Sequence, residues 1–234
     1  MKLSSSGRIS PGRASSGKPQ FALSFAILFL MAFAALASPQ YRDQDRDHDR
    51  DRDHDRDRDR GGIFVSREQI ARDFGGGRGG RPAPDAQCEY GFVAVGFHVQ
   101  TGEYYNQAWL DCARLRPDGT LGDEIRTTER TGSPGGRPVH DAYCSHDRVL
   151  RGLTGRTGAS IDEAAGECAH IRQIIERPEN PRTELTEAIF RPRPGGRPTE
   201  AQCPVGSVVT GLRSNSGEYM DHLWILCSEL RRGR

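Results

Sequence analysis

Six cysteines constrain this chain more than any other feature. Cys88, Cys112, Cys144, Cys168, Cys203 and Cys227 form three consecutive pairs, each separated by the same 24 positions. Other residues recur in register with them. Val93, Val149 and Val208 stand five places after the first cysteine of each pair, and Gly96, Gly152 and Gly211 three places further on. Next come Phe97, Leu153 and Leu212, then Thr101-Gly102, Thr157-Gly158 and Ser216-Gly217. Asn106, Asp162 and Asp221 follow four residues after those glycines. A Gly-Gly-Arg-Pro precedes each first cysteine, at 79–82, 135–138 and 195–198. Coincidence at so many positions marks three copies of one supersecondary unit, with boundaries near 62–117, 118–176 and 177–234.

The unit reads as β. Its apolar stretches are short, and Gly and Pro interrupt them often. Phe92–Phe97, Val149-Leu150, Val208–Leu212, Tyr104-Tyr105 and Leu223–Leu226 have strand character, as do Ile63–Val65, Glu124–Thr128 and Leu185–Phe190 ahead of the Gly-Gly pairs. Gln100-Thr101-Gly102 and its equivalents carry turn chemistry. A hairpin centred near residue 100 sets Cys88 opposite Cys112, and the same rule holds near 156 and 215. The simplest connectivity is therefore Cys88–Cys112, Cys144–Cys168 and Cys203–Cys227, although six cysteines permit about 15 pairings. Closing a loop of this length is worth roughly 3 kcal/mol per bridge.

The segment before the repeats divides in two. Residues 1–37 carry scattered basic residues, an apolar run from Phe21 to about Leu36, and a small-x-small pattern before Ser38. That order is expected of a cleaved signal peptide, which leaves no membrane span in the mature protein. The chain carries +1 overall and the leader +4, so the remainder is near −3 and has no basic face for nucleic acid. Both lysines, Lys2 and Lys18, leave with it, which removes lysine-based catalysis. Residues 38–61 form a spacer in which Asp occupies every odd position from 43 to 59, mostly alternating with Arg. Neither face of such a segment is apolar, so a disordered linker is expected. Export suits an even cysteine count, because disulfides persist outside the reducing cytosol.

Two chemical alternatives arise from the residues. Cys144-x-His146 and Cys168-x-His170 look like halves of a zinc site. The first and third repeats keep the cysteines and lack the histidines, so bridges account for all six and metal does not. No nucleophile elbow, His-Glu-x-x-His helix, phosphate loop or free Cys–His dyad is present. Glu103 and Glu218 lie beside the repeated turns, but catalysis generally needs one asymmetric constellation. No catalytic residue, cofactor or metal is expected.

Gly217-Glu-Tyr-Met-Asp221-His-Leu223 resembles the Gly-x-Tyr-Leu-Asp-x-Ile ending of jacalin-related lectins, and Gly75–Pro82 resembles their glycine-rich opening loop. The architecture is shared with vitelline membrane outer layer proteins. The resemblance implies an all-β fold, a β-prism of three antiparallel sheets with pseudo-threefold repeats, one sheet per repeat and one disulfide in each. It also implies a non-catalytic module that binds glycans or cell-surface polymers. In that family the Asp accepts hydrogen bonds from sugar hydroxyls, and glycines let backbone donors approach. Carried over, the ligand residues are Gly158 with Asp162 and Gly217 with Tyr219 and Asp221. Gly135-Gly136 and Gly195-Gly196 supply adjacent loops, and Gly102 with Asn106 forms an uncharged third site. Tyr104 and Tyr219 offer stacking faces. The same residues also suit plain turn formation, since Asp fixes turns through neighbouring N–H groups. In that case the chain is a structural or interaction protein of a cell envelope or extracellular matrix, with no sugar binding.

Overall fold

The computed structural model describes residues 61–190 and 195–233. The expected leader and all of the expected spacer except Gly61 lie outside them. In chain order the elements are β1 (Ile63–Gly76), β2 (Arg81–Pro82), β3 (Ala86–Gln87), β4 (Phe92–Thr101) and β5 (Tyr105–Leu115). Then come β6 (Leu121–Thr127), β7 (Thr131–Gly132), β8 (Val139–Tyr143), β9 (Arg148–Thr157), β10 (Ile161–His170) and a short helix α1 (Ile171–Glu176). The last are β11 (Thr183–Leu185), β12 (Ile189–Phe190), β13 (Arg197–Gln202), β14 (Ser207–Ser216) and β15 (Met220–Arg232). The chain is thus nearly all β, as the repeat chemistry predicts.

Three equivalent hairpins, β4–β5, β9–β10 and β14–β15, form the centres of three antiparallel sheets. In each hairpin the register slips once at the repeated glycine, between Ala94 and Gly96, near Gly152, and between Val209 and Gly211. This bulge switches which alternate residues face inward. Phe92 and Ala94 point into the core before it, and Phe97 and Val99 after it. The inner strands β4, β9 and β14 pack against one another in pairs, so the sheets enclose one core with pseudo-threefold arrangement: a β-prism. Tyr105, Ile161 and Met220, at one repeat position, are all fully buried. Burial of each such side chain is worth roughly 1.5–3 kcal/mol.

The sheets are out of phase with the repeats. Each hairpin takes its outer strands from the following repeat. β4–β5 is flanked by β8 on one side and by β6 and β7 on the other, and β9–β10 by β13 and by β11 with β12. The third hairpin has no following repeat, so β1, β2 and β3 from the start of the domain complete it.

All three expected disulfides form, each over a sequence separation of 24. They do not cross the hairpins, contrary to what the turn positions expected from the sequence implied. The turns centre on 103, 159 and 218, and the partners opposite Cys112, Cys168 and Cys227 are Ala94, Leu150 and Val209. Cys88, Cys144 and Cys203 lie outside the hairpins, where their N–H groups donate to Thr210, Val95 and Arg151 on the preceding sheet. Each bridge therefore joins two sheets, and the three close a ring around the prism. Pairing Cys144 with Cys168 leaves no thiolates for zinc.

A second apolar cluster closes one end. Val93, Val149 and Val208 meet there with Val65, Leu115 and Ala169. Helix α1, which the sequence pattern did not signal, buries Ile171 and Ile174 in this cluster. At six residues it is too short to show helical periodicity.

Candidate functional site

The hairpin turns lie at the other end of the prism. Each is closed by the same backbone bond: Gly102 N–H to Tyr104 O, Gly158 to Ser160, and Gly217 to Tyr219, at 2.8–3.0 Å. The Gly-Gly loops lie directly against them. Gly80, Gly136 and Gly196 have φ of +74°, +81° and +66°, conformations that favour glycine. A Cβ on Gly80 would stand 2.6 Å from Asp221 Oδ2, and one on Gly136 2.5 Å from Asn106 Oδ1. Gly196 meets Asp162 Oδ2 in the same way. Three times, then, a carboxyl or carboxamide oxygen fills the notch left by a missing side chain.

The out-of-phase sheets fix which loops meet. Gly135-Gly136 faces Asn106 of the first repeat, Gly195-Gly196 faces Asp162 of the second, and Gly79-Gly80 faces Asp221 of the third. Each Gly-Gly thus serves the turn of the preceding repeat. Gly79 and Gly80 complete the third site. The resemblance of Gly75–Pro82 to an opening loop was the signal for them, although the repeat order did not pair them with Asp221.

Side chains hold these loops in place. Gln100 Nε2 donates to Gly136 O at 2.8 Å, while Arg156 Nε and Nη2 donate to Gly195 O and Gly196 O at 2.9 and 2.8 Å. Around the third site, Gly77 N–H donates to Asp221 O at 2.7 Å. His222 makes contacts of 2.8 Å from Nδ1 to Gly77 O and 2.7 Å from Nε2 to Asp73 Oδ1.

Accessibility differs among the three. Asn106 and Asp221 are half-buried, but Asp162 is 1% exposed. Tyr104 and Tyr219 stack on each other, with centroids 4.4 Å apart and planes 22° from parallel. Ser133 Oγ also donates to Gly217 O. These contacts join the first and third turns into one surface. In the second turn the position of these tyrosines is Ser160, which is buried. Glu103 and Glu218 are exposed, as are Arg81, Arg137 and Arg197.

The chain matches no family model and none of the curated proteins. Solved structures similar to it include artocarpin complexed with methyl α-mannose, at TM-score 0.48 and 11% identity, covering 70% of this chain and 99% of that one. Calystegia sepium agglutinin matches at TM-score 0.46 and 13% identity, over 71% and 99% of the two chains. A prostate-specific WGA16 glycoprotein lectin matches at 0.44 and 14%, over 67% and 100%. Artocarpin and the Calystegia agglutinin are jacalin-related lectins of the β-prism type.

Proposed function

We propose that this chain is an exported, non-catalytic carbohydrate-binding module whose ligand surface is the loop end of the prism. One observation carries the reading: the recurrent seating of an Asn or Asp oxygen against a left-handed glycine of the neighbouring loop. This leaves an acceptor beside bare backbone with no Cβ in the way, an arrangement suited to vicinal hydroxyls. Asp221 with Gly79-Gly80 and Gly217 is the principal site, because its carboxylate is charged and half-exposed. Asn106 with Gly102 and Gly135-Gly136 is a weaker neutral neighbour on the same surface. Asp162 with Gly158 and Gly195-Gly196 has equivalent geometry but a buried carboxylate, so its role is to hold the turn. Two adjacent sites gain avidity on a polymeric surface. The three disulfides support an oxidising compartment outside the cytosol.

A printed glycan array tests this with wild type, Asp221→Ala and Asn106→Ala/Asp221→Ala. Binding should fall at least tenfold in the first variant and further in the second. Unchanged binding in both, with native stability, removes the assignment.

A further inference from the structure

The outward face of the sheet built on β4–β5 carries a cluster that the loop sites do not use. The register lays it out in rows across β8, β4 and β5. One row is Tyr143, Gly96 and Asp111, the next Asp141, His98 and Trp109, and the third Val139, Gln100 and Gln107. Gly96 has no room for a side chain, since a Cβ there would lie 2.8 Å from Tyr143 Cδ1 and Cε1. The Tyr143 ring therefore rests on the bare backbone of β4. Its hydroxyl donates to Asp111 Oδ2 at 2.9 Å, and Thr127 Oγ1 donates to Asp111 Oδ1 at 2.6 Å. His98 lies between two carboxylates, with Nε2 3.0 Å from Asp111 Oδ2 and Nδ1 2.6 Å from Asp141 Oδ1. Its ring packs edge-on to Tyr143 and parallel to Trp109.

These buried groups fix a ring that is itself 55% exposed. An exposed tyrosine otherwise loses side-chain entropy when it stacks on a ligand, and here most of that ordering has already occurred. Burial raises the Asp111 carboxyl, but hydrogen bonds from Thr127 and Tyr143 and the charge of His98 outweigh it and hold the group below its usual range. Burial and the Asp111 bond push the Tyr143 phenol up to about 12, so it remains a donor at physiological pH. The exposed Asp141 stands two residues from the ring on β8; across His98 the Arg130 guanidinium covers Trp109 at 4.1 Å and bonds Gln100 Oε1 at 3.2 Å.

The other two sheets show that the fold does not require this cluster. The equivalent rows across β13, β9 and β10 hold Gln202, Gly152 and Glu167, then Glu200, Thr154 and Ala165. There Gln202 bonds Glu167 at 2.8 Å, and Arg151 reaches both, at 3.3 Å to Gln202 and 3.8 Å to Glu167. Across β14 the equivalent of the His98–Asp141 pair is an exposed Arg213–Asp85 ion pair. Among the described residues of the three faces, the third carries Trp224 packed on His222, and the β4–β5 face alone has a tyrosine ring tied through its hydroxyl to a carboxylate.

We infer that this face is a second carbohydrate surface, which stacks a pyranose ring on Tyr143 and hydrogen-bonds its hydroxyls through Asp141. Tyr143 and Asp141 are two residues apart on one strand, roughly 7 Å, which suits one ring and its substituents. An aromatic face takes the C–H side of a sugar while neighbouring polar groups take its rim. The surface lies on a sheet face and does not depend on the turns.

The test uses the whole exported chain on a printed array of plant, fungal and bacterial glycans. Wild type, Asn106→Ala/Asp221→Ala, Tyr143→Ala and Tyr143→Phe are compared, with thermal unfolding confirming that each is folded. In a Trp224→Phe background Trp109 is the sole tryptophan and reports directly on this face. The proposal expects glycans still bound by the Asn106→Ala/Asp221→Ala variant to be lost at least tenfold on adding Tyr143→Ala. Tyr143→Phe should lose only a few-fold, because it keeps the ring and drops the anchor. The same glycans should change Trp109 fluorescence. The proposal is overturned if Tyr143→Ala leaves every signal of the loop variant unchanged, if that variant binds no glycan, or if Trp109 emission does not respond. The loop reading fails separately, if the loop variant retains all wild-type binding and only Tyr143→Ala removes it.

Discussion

Removing one disulfide tests the idea that the prism is a ring of three sheets held by three staples. The bridges close separate, non-overlapping loops of equal length, each spanning 24 positions. In the chain-entropy treatment a loop of that size restricts the unfolded chain by about 3.5 kcal/mol at 25 °C. Cys112, Cys168 and Cys227 are buried, so replacing a pair with alanines adds a packing loss of order 1 kcal/mol. Each of Cys88→Ala/Cys112→Ala, Cys144→Ala/Cys168→Ala and Cys203→Ala/Cys227→Ala should therefore cost about 4 kcal/mol, or about 10 °C in Tm for a domain of this size. Because the loops do not overlap, the costs should add. All three together reach about 12 kcal/mol, comparable to the whole stability of a domain. The fully reduced protein should accordingly be unfolded or nearly so. Urea denaturation followed by circular dichroism, with and without reductant, measures this. The reasoning is refuted if any one pair costs under about 1 kcal/mol, or if reduction leaves the midpoint unmoved.

Three further outcomes are expected. Gly80→Ala, Gly136→Ala and Gly196→Ala each place a Cβ against the neighbouring turn at positive φ and should cost at least about 1–2 kcal/mol, whereas Gly158→Ala meets only ordinary contacts and should be nearly neutral in thermal melts. Tyr105→Phe removes the 2.5 Å bond from a buried hydroxyl to Ile189 O, strands that carbonyl, and should cost about 1–3 kcal/mol in the same assay. Hydrogen bonds from Thr127 and Tyr143 outweigh burial at Asp111, and the Arg213 bond does so at Asp85, so both carboxyls are depressed in the folded state. Their stabilisation is fully present above the ordinary carboxyl range, near pH 4, and is lost as pH falls through their folded values. Urea midpoints should drop on acidification below about pH 4, and less steeply in Asp111→Asn.

The sequence by itself determined what is local and what is repeated. Register among the cysteines, glycines and Asn106, Asp162 and Asp221 established three equivalent units and their β character, and made the within-repeat cysteine pairs the simplest of the possible connectivities. Turn chemistry and alternation act over a few residues, so they can be read without the fold. The three-fold repetition nevertheless conceals which neighbour an outer strand joins, because every copy offers the same edge. Only the closed ring decided that Gly135-Gly136 meets Asn106 rather than Asp162, and that Gly79-Gly80 meets Asp221 from the far end of the domain. The same closure turned Cys88–Cys112 and its equivalents from cross-hairpin bridges into bridges between sheets. It also buried Asp162 while leaving Asp221 half-exposed, although the two occupy the same position in the repeat. The His98, Asp111, Asp141 and Tyr143 cluster draws on three strands whose register depends on a bulge at Gly96 and on pairing between repeats. Long-range pairing is chosen by the burial of a shared core, and no single stretch of residues carries that information.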